Sequence, residues 1–200
     1  GHSAWITIQI GCDNSCTFCI VPSVRGSEIS RRMGDIVSEA EQLAADGVRE
    51  ITLLGQNVNS YGRDLGAGQY QPQFADLLRA IDEVDGISRI RYISPHPKDL
   101  RPDTIAAMAE CDAVCEHIHL PLQSGSDRIL ARMHRGYRAE RFLERLGAAR
   151  AAIPDLAVTS DIIVGFPGET DADFAATLAV AEEAKFDSAY TFVFSPRPGT

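Results

Sequence analysis

The 200-residue chain has no apolar run approaching the roughly 20 residues that cross a bilayer, and no basic-then-apolar leader opens it. Helices that span a membrane are therefore excluded, and no membrane partner is expected. Positive charge is also short: 19 lysines and arginines stand against 28 acids, a formal net charge of −9. A generic nucleic-acid coat needs the opposite balance, because phosphate binding is electrostatic. Lysine is almost missing, with arginine supplying seventeen of the nineteen basic residues, a bias that GC-rich coding alone can produce. Cysteine is scarce and odd in number at five, and three of the five share one loop. A disulfide framework is not expected, and a reducing cytoplasm fits best. Low-complexity tracts, internal linkers and the Gly-x-Gly-x-x-Gly dinucleotide fingerprint are all absent. What is left, 44% hydrophobic and 24% charged, is the composition of one globular domain able to bury a substantial core.

The most informative stretch is Gly11-Cys12-Asp13-Asn14-Ser15-Cys16-Thr17-Phe18-Cys19, which follows the strand-forming run Trp5 to Ile10. Three cysteines at Cys-x3-Cys-x2-Cys, among glycine and polar residues, are hard to bury as inert side chains. A structural zinc site would want four ligands in a closed tetrahedron. An iron–sulfur cubane takes one thiolate per iron, so three cysteines leave one iron open to chelation by a small molecule. That is the arrangement of a chemical site.

Along the chain, Trp5/Thr7/Gln9 alternates with Ile6/Ile8/Ile10 as a strand with both faces in use. Helices are predicted over about 35–46, with Gly47 as its stop, over the stripe Phe74, Leu77, Leu78 and Ile81, and over about 102–110. An arginine-rich helical stretch covers about 127–152, interrupted near Gly136, and Thr170 caps a helix whose apolar residues are Phe174, Leu178 and Ala181. Strands are predicted at 50–54, 89–93, 117–120, 157–164 and 188–194. Six strands alternating with five helices favour right-handed β-α-β crossovers and a parallel α/β barrel or open barrel. In such barrels the chemistry gathers on the loops after the strands' C-terminal ends. The cysteine loop and the segments from Gly55, Ser94, Gln123 and Gly165 onward all fall there. Five polar loops on one rim point to a single site.

Other constellations carry less. Cys111 and Cys115 with His117 and His119 imitate a zinc site. Their positions at a helix end and on a short buried strand, away from the rim, make them core or supporting residues. Gly165-Phe166-Pro167-Gly168-Glu169 leads from strand to helix, where backbone amides favour an anion or a ribose edge. Of the arginines between 128 and 150, most are expected on an outer, solvent-bathed helix, while Arg132 and Arg135 stand nearer the rim and can meet a carboxylate or phosphate.

The cysteine spacing with an aromatic before the last cysteine resembles the signature of the radical S-adenosylmethionine (SAM) superfamily. Ile10 through Pro22, Leu54 to Gly62, Ser94-Pro95-His96-Pro97, His119 to Asp127, Asp161 to Thr170 and Ser195 to Thr200 together resemble its methylthiotransferase family. The Gln-Asn-Val-Asn and Ser-Pro-His-Pro loops are similar to the MiaB type, which acts on isopentenyladenosine in tRNA. The resemblance implies a (β/α)6 partial TIM barrel, a radical SAM core over residues 1–200. A [4Fe–4S] cluster would reduce SAM to a 5′-deoxyadenosyl radical, which takes hydrogen from C2 of the modified adenine beside the anticodon. Sulfur comes from an auxiliary cluster and the methyl group from a second SAM. Alternatives are a methylthiotransferase for threonylcarbamoyladenosine or a ribosomal-protein aspartate, or a metal-binding interaction module without catalysis.

The resemblance also assigns residues. Cys12, Cys16 and Cys19 match the cluster ligands, and no catalytic residue is expected beyond them. Phe18 matches the aromatic beside the SAM adenine. Gly55-Gln56 stand where the superfamily often has Gly-Gly-Glu against the methionine amine, with a neutral amide here in place of the acid. Ser94, Gln123, Ser124 and Arg135 lie on rim loops that hold ribose and carboxylate. Of the adenine loop Gly-x-Ile-x-Gly-x-x-Glu, only Ile163 and Gly165 carry over, since Asp161 replaces the first glycine and Glu169 falls one place late. The implied partners are tRNA, bound mainly through other domains, and an electron donor such as a flavodoxin-type protein. Gly1-His2-Ser3 at one end, and Arg197-Pro198-Gly199-Thr200 without a closing helix at the other, lead us to expect a core excised from a longer protein. The absent parts would be an N-terminal auxiliary-cluster domain and a C-terminal RNA-binding domain.

Overall fold

The computed structural model describes residues 1–66 and 71–200. Its first strand is shorter than the alternating run predicts. β1 (Ser3–Thr7) pairs in parallel with β4 (Glu50–Leu54), but the next residues leave that ladder. β2 (Gln9–Ile10) instead pairs antiparallel with β3 (Ile29–Ser30), two residues each, and bends the chain into the cysteine loop. The side-chain alternation slips with it: Ile6, Ile8 and Gln9 are buried while Ile10 is exposed. Between β2 and β3 the cysteine loop runs into a short helix, α1 (Val21–Arg25).

From α2 (Met33–Ala45) onward the alternation of helix and strand is regular. β4 buries Ile51 and Leu53 by its period of two, and α3 (Phe74–Asp82) buries Phe74, Leu77, Leu78 and Ile81 by its period near 3.6. β5 (Arg89–Tyr92) pairs in parallel with β4 and sends Tyr92 edge-on to Phe74, ring centroids 5.1 Å apart. α4 (Pro102–Glu110) begins on its proline, where the missing N–H costs nothing. Ile90 of β5 bridges to Val114, and that segment leads into β6 (His117–His119), which pairs with β7 (Ala157–Val164). β7 in turn pairs with β8 (Ser188–Val193). The parallel strands thus follow one another as an arc in chain order, and among the described residues β1 and β8 do not pair to close it. This is the expected open barrel, with the main apolar core between the strands and the helices outside them.

The arginine-rich stretch divides into α5 (Asp127–Arg132) and α6 (Ala139–Ala152), separated by a turn in which His134 and Gly136 take φ of 55° and 71°. Most of its arginines are exposed as expected, namely Arg128, Arg132, Arg138 and Arg141, while Arg145 and Arg150 are half-buried and Arg135 is buried; several also fasten neighbouring elements. Arg128 pairs with Asp173, Arg145 donates to the Leu100 carbonyl, and Arg150 donates to the carbonyls of Ala184 and Lys185 at 2.6 and 2.8 Å.

α7 (Asp171–Ala184) shows a clear reversal. Thr170 caps it in a capping box with Asp173, as its sequence predicts. Its large apolar residues are turned outward, however, with Phe174 41% and Leu178 54% exposed. The inner face is Asp173, Thr177, Val180 and Ala184. The reason is close approach to a neighbour: a Cβ on Gly125 would stand 2.6 Å from the Ala176 carbonyl oxygen and the Thr177 Cα. Gly125 N–H donates to Thr177 Oγ1 at 2.9 Å, and the Ser126 hydroxyl donates to Asp173 Oδ1 at 2.6 Å. Specific polar pairing outweighs a weak apolar bias on a helix that carries apolar residues all round.

Two glycine substitutions separate these effects. Gly125→Ala is expected to destabilise the protein by roughly 1–3 kcal/mol through overpacking against backbone. Gly147→Ala, inside α6 with open space around its Cβ position, is expected to stabilise it by about 0.5–1 kcal/mol. Urea denaturation midpoints of the two variants check both signs.

Candidate cofactor-binding site

The cysteine loop is fixed at its start by a glycine that nothing else could replace. Gly11 has φ of 76°, and a Cβ there would lie 2.0 Å from the Ser27 carbonyl oxygen. This lets Cys12 N–H reach the Gly26 carbonyl at 3.0 Å, while Asp13 Oδ1 accepts from Glu28 N–H at 3.2 Å. Further on, the loop docks onto the turn after α5. Thr17 N–H donates to Met133 O at 3.1 Å, its hydroxyl donates to Arg132 O at 3.0 Å, and His134 Nδ1 lies 3.2 Å from Ser15 O. Cys16 is therefore gripped on both sides.

Cys12, Cys16 and Cys19 all line one cavity of about 390 Å³ at the C-terminal mouth of the arc. Burial pushes the Cys12 thiol up from its ordinary pKa, with the Glu28 carboxylate and the Cys16 thiol adding to the rise and Asn14 opposing it. Among the described residues no three His, Cys, Asp or Glu side chains converge to hold a single metal ion. Three thiols spread around one cavity suit a polynuclear cluster instead, which takes each thiolate on a different iron.

Polar groups share the cavity with the thiols. Gly55, Gln56, Ser94, His96, His119, Gln123, Arg135 and Asp161 contribute to its wall. Gln56 Oε1, Gln123 Oε1 and His96 Nε2 are buried without any hydrogen-bond partner. Such groups are costly to leave unpaired, so three in one wall mark the seat of a polar ligand. Ser94 and Gln123 hold φ of 58° and 67°, a conformation that ordinary side chains adopt only where the surroundings enforce it. His96 Nδ1 accepts from Lys98 N–H at 3.2 Å, so the ring hydrogen sits on Nε2, which is left as an unpaired donor. Burial pushes the His96 pKa down to about 2, with Arg135 and Lys98 adding to the fall and Asp99 opposing it.

Phe18 and Ile163 border a second hollow of about 340 Å³, continuous in lining with the first through Cys19, Gln123 and Asp161. There Phe18 and Ile163 pack against a small apolar cluster of Ile129, Met133 and Phe166. The site thus has a thiol end, a polar wall and an apolar end.

Two residues expected to hold the cofactor stand elsewhere. Ser124 is fully buried, its hydroxyl 3.2 Å from Thr177 Oγ1 and accepting from Ser126 N–H, so it anchors the loop to α7. Gly165 lines neither hollow, and its N–H donates to Glu169 Oε2 to close the turn. Much of the loop after β4 is likewise spent on structure. Asn57 Nδ2 donates to Asp99 Oδ2 at 2.8 Å, and Asn59 exchanges hydrogen bonds with the His96 backbone at 2.8 and 3.0 Å. The polarity of that rim therefore comes partly from loops stitched to each other.

The sequence reading placed His119 away from the rim, and the structure corrects it. His119 reaches the cavity, with Nδ1 2.9 Å from Thr159 Oγ1 and Nε2 3.2 Å from Asp161 Oδ2. A signal for this pair existed: alternation puts His117 and His119, and Thr159 and Asp161, on like faces, and a parallel pairing of β6 with β7 brings those faces together. Cys111 and Cys115 do lie away from the rim, ahead of β6 at the other end of the strands, where they border a separate cavity.

Three thiols, orphaned polar groups in the same cavity and an adjoining apolar shelf suit a cluster beside a small ligand that has polar and apolar parts. Fold and site thereby define a cluster-dependent partial-barrel enzyme. The chain belongs to the radical SAM superfamily, whose family model matches residues 6–181. It is 60% identical over 199 residues to a tRNA-2-methylthio-N(6)-dimethylallyladenosine synthase of Parafrankia sp. (strain EAN1pec), a match covering 100% of this chain and 40% of the relative. A protein of the same name from Frankia casuarinae is also 60% identical, with 36% of its length covered. The chain thus spans well under half of the curated relatives it matches. Among solved structures it is similar to the radical SAM methyltransferase TsrM from Kitasatospora setae, with a TM-score of 0.74 at 17% identity over 95% of this chain and 36% of that one. SuiB from Streptococcus suis gives 0.64 at 16% identity, over 98% of this chain and 40% of that one. These two likenesses concern the fold alone.

Two outcomes test the site. Cys12→Ala, Cys16→Ala and Cys19→Ala are each expected to abolish cluster uptake, whereas Cys111→Ser and Cys115→Ser leave iron and sulfide contents unchanged. The second concerns His96, whose folded pKa is depressed below the unfolded value of 6.5. Its neutral form therefore contributes stability that is present above about pH 6.5 and lost as pH falls. Between pH 7 and pH 5 this amounts to about 2 kcal/mol. His96→Asn keeps an acceptor for Lys98 N–H but cannot titrate, so its unfolding free energy is expected to fall less over that interval by this amount.

Proposed function

We propose that this chain is the radical SAM core of a tRNA methylthiotransferase of the isopentenyladenosine type, acting at C2 of the modified adenine beside the anticodon. The observation that carries this reading is the joint lining of one cavity by Cys12, Cys16, Cys19 and the unpartnered groups of Gln56, His96 and Gln123. The high identity to relatives named for that reaction supports the choice of substrate.

When bound here, a [4Fe–4S] cluster and SAM supply reductive cleavage able to remove hydrogen from an unactivated carbon. The chain's own residues bind and orient. Cys12, Cys16 and Cys19 would hold three of the cluster's irons and leave the fourth without a protein ligand. Gln56 Oε1 is an acceptor for an ammonium group, and His96 Nε2–H is a donor for a carboxylate. Ser94 and Gln123 would hold the ribose. Phe18 and Ile163 form the apolar shelf for the adenine. Ser124 and Gly165 act indirectly, by fixing the loops that carry Gln123 and Ile163. The His119–Asp161 pair lies on the inner wall, where it keeps the interior polar and its ring orientation fixed.

RNA affinity is assigned mainly to other parts of the full-length protein, in keeping with the net charge of −9. We place an auxiliary-cluster domain before this core and an RNA-binding domain after it, with electrons delivered by a flavodoxin-type donor. Among the described residues no helix is long and apolar enough to cross a membrane.

The test is anaerobic reconstitution with iron and sulfide, followed by dithionite, SAM and isopentenylated tRNA. The 200-residue chain is expected to release 5′-deoxyadenosine, and Cys16→Ala to release none. Methylthiolated adenosine should not form without an added sulfur-bearing partner, because Cys111 and Cys115 lie at the wrong end of the strands. A chain with a full cluster but no SAM cleavage overturns the reading. Methylthiolation by this chain alone overturns the assignment of the sulfur source.

A further inference from the structure

Among the described residues Arg135 is the one arginine or lysine that is buried, 5% exposed, and no carboxylate pairs with it. A guanidinium carries its charge at any physiological pH. Burying it without an anion is strongly unfavourable, so the fold must supply negative charge nearby. Its three nitrogens have separate partners. Nε donates to Tyr137 Oη at 3.3 Å, Nη2 donates to the Pro121 carbonyl at 3.2 Å, and Nη1 points to Cys16 Sγ at 3.4 Å. The Tyr137 ring adds a cation–π contact, its centroid 5.5 Å from the guanidinium carbon. Two neutral oxygens and a ring face do not neutralise a cation. Of these partners Cys16 is the one that becomes an anion when metal displaces its proton.

The contact is also fixed in place. Ser15 and Thr17, on either side of Cys16, are hydrogen-bonded to His134, Arg132 and Met133 in the turn just before Arg135. The guanidinium and the sulfur therefore sit on two segments tied together at both flanks.

We propose that Arg135 is a positioning residue that sets the reduction potential of the cluster held by Cys12, Cys16 and Cys19. It places a buried positive charge and an N–H···S hydrogen bond on Cys16. The inference rests on the proposed function, since it presumes that a cluster binds there. Reduction adds one electron, supplied by an external reductant, to a cluster whose net charge with its thiolates is already negative. A fixed cation in a medium of low dielectric favours the more negative state, and a hydrogen bond to sulfur acts in the same direction. Arg135 thus raises the potential and eases reduction. This differs from holding a cofactor carboxylate, because the effect is present with no SAM bound.

The experiment is a redox titration of the reconstituted protein followed by the EPR signal of the reduced cluster, without SAM. Arg135→Met removes charge and donor while keeping an unbranched stem. At a fixed potential its reduced-to-oxidised ratio is expected to fall about tenfold, a midpoint shift of ~59 mV for a one-electron couple. Arg135→Lys keeps the charge but lacks the fork that serves three partners, and an intermediate fall of about threefold is expected. Should the methionine variant fail to fold or to take up iron, the lysine variant decides. A full cluster with an unmoved midpoint in the variant measured overturns the inference and leaves the proposed function standing. Failure of the unaltered protein to take up a cluster overturns both.

Discussion

The mouth of the barrel depends on a handful of hydrogen bonds between the cysteine loop and the turn after α5. Thr17 N–H to Met133 O and Thr17 Oγ1 to Arg132 O join the chain's first loop to one more than a hundred residues later. Gly11 makes the approach possible from one side, since any side chain there would run into the Ser27 carbonyl. Without that clamp the three thiols would sit on a flexible hairpin and the buried guanidinium would have no anion. With it, the loop becomes part of the barrel wall.

A second constraint governs the other rim loops. Each buries polar backbone and polar side chains, and each must satisfy them. The loop after β4 does so against the loop after β5, through Asn57 with Asp99 and Asn59 with the His96 backbone. The loop after β6 does so against α7, through Ser124, Gly125 and Ser126. Several buried groups stay unsatisfied, Asn57 Oδ1 and Glu169 Oε1 among them, but those on Gln56, His96 and Gln123 belong to residues that line the cavity and are left for a ligand.

Local pattern carried much of this, and its failures have specific causes. The stripe on α3, the proline at the head of α4 and the cap of α7 follow from periodicity and turn chemistry, and they appear where expected. The three cysteines were legible because few other arrangements explain such spacing. The face of α7 was not, because which side a helix with apolar residues on every face buries depends on what packs against it, here Gly125 and two serines. Ser124 looked like a rim ligand because composition does not report direction. His119 looked internal because a strand's inner face and a cavity's wall are the same surface in an open barrel. The left-handed backbone of Ser94 and Gln123 leaves no trace in sequence at all, since tertiary context alone imposes it.

The clamp on the cysteine loop also orders events during synthesis. Thr17 and its partner Arg132 are 115 residues apart, so at ~5–20 residues per second the loop emerges roughly 6–23 s before its bracket exists. Through that interval the nascent chain displays three thiols with neither the wall nor the cation that later holds them. Oxidation or capture of a stray metal is a hazard of that interval, and it ends once α5 and its turn have folded back onto the loop. A site assembled from segments this far apart can be loaded only after most of the barrel strands have left the ribosome.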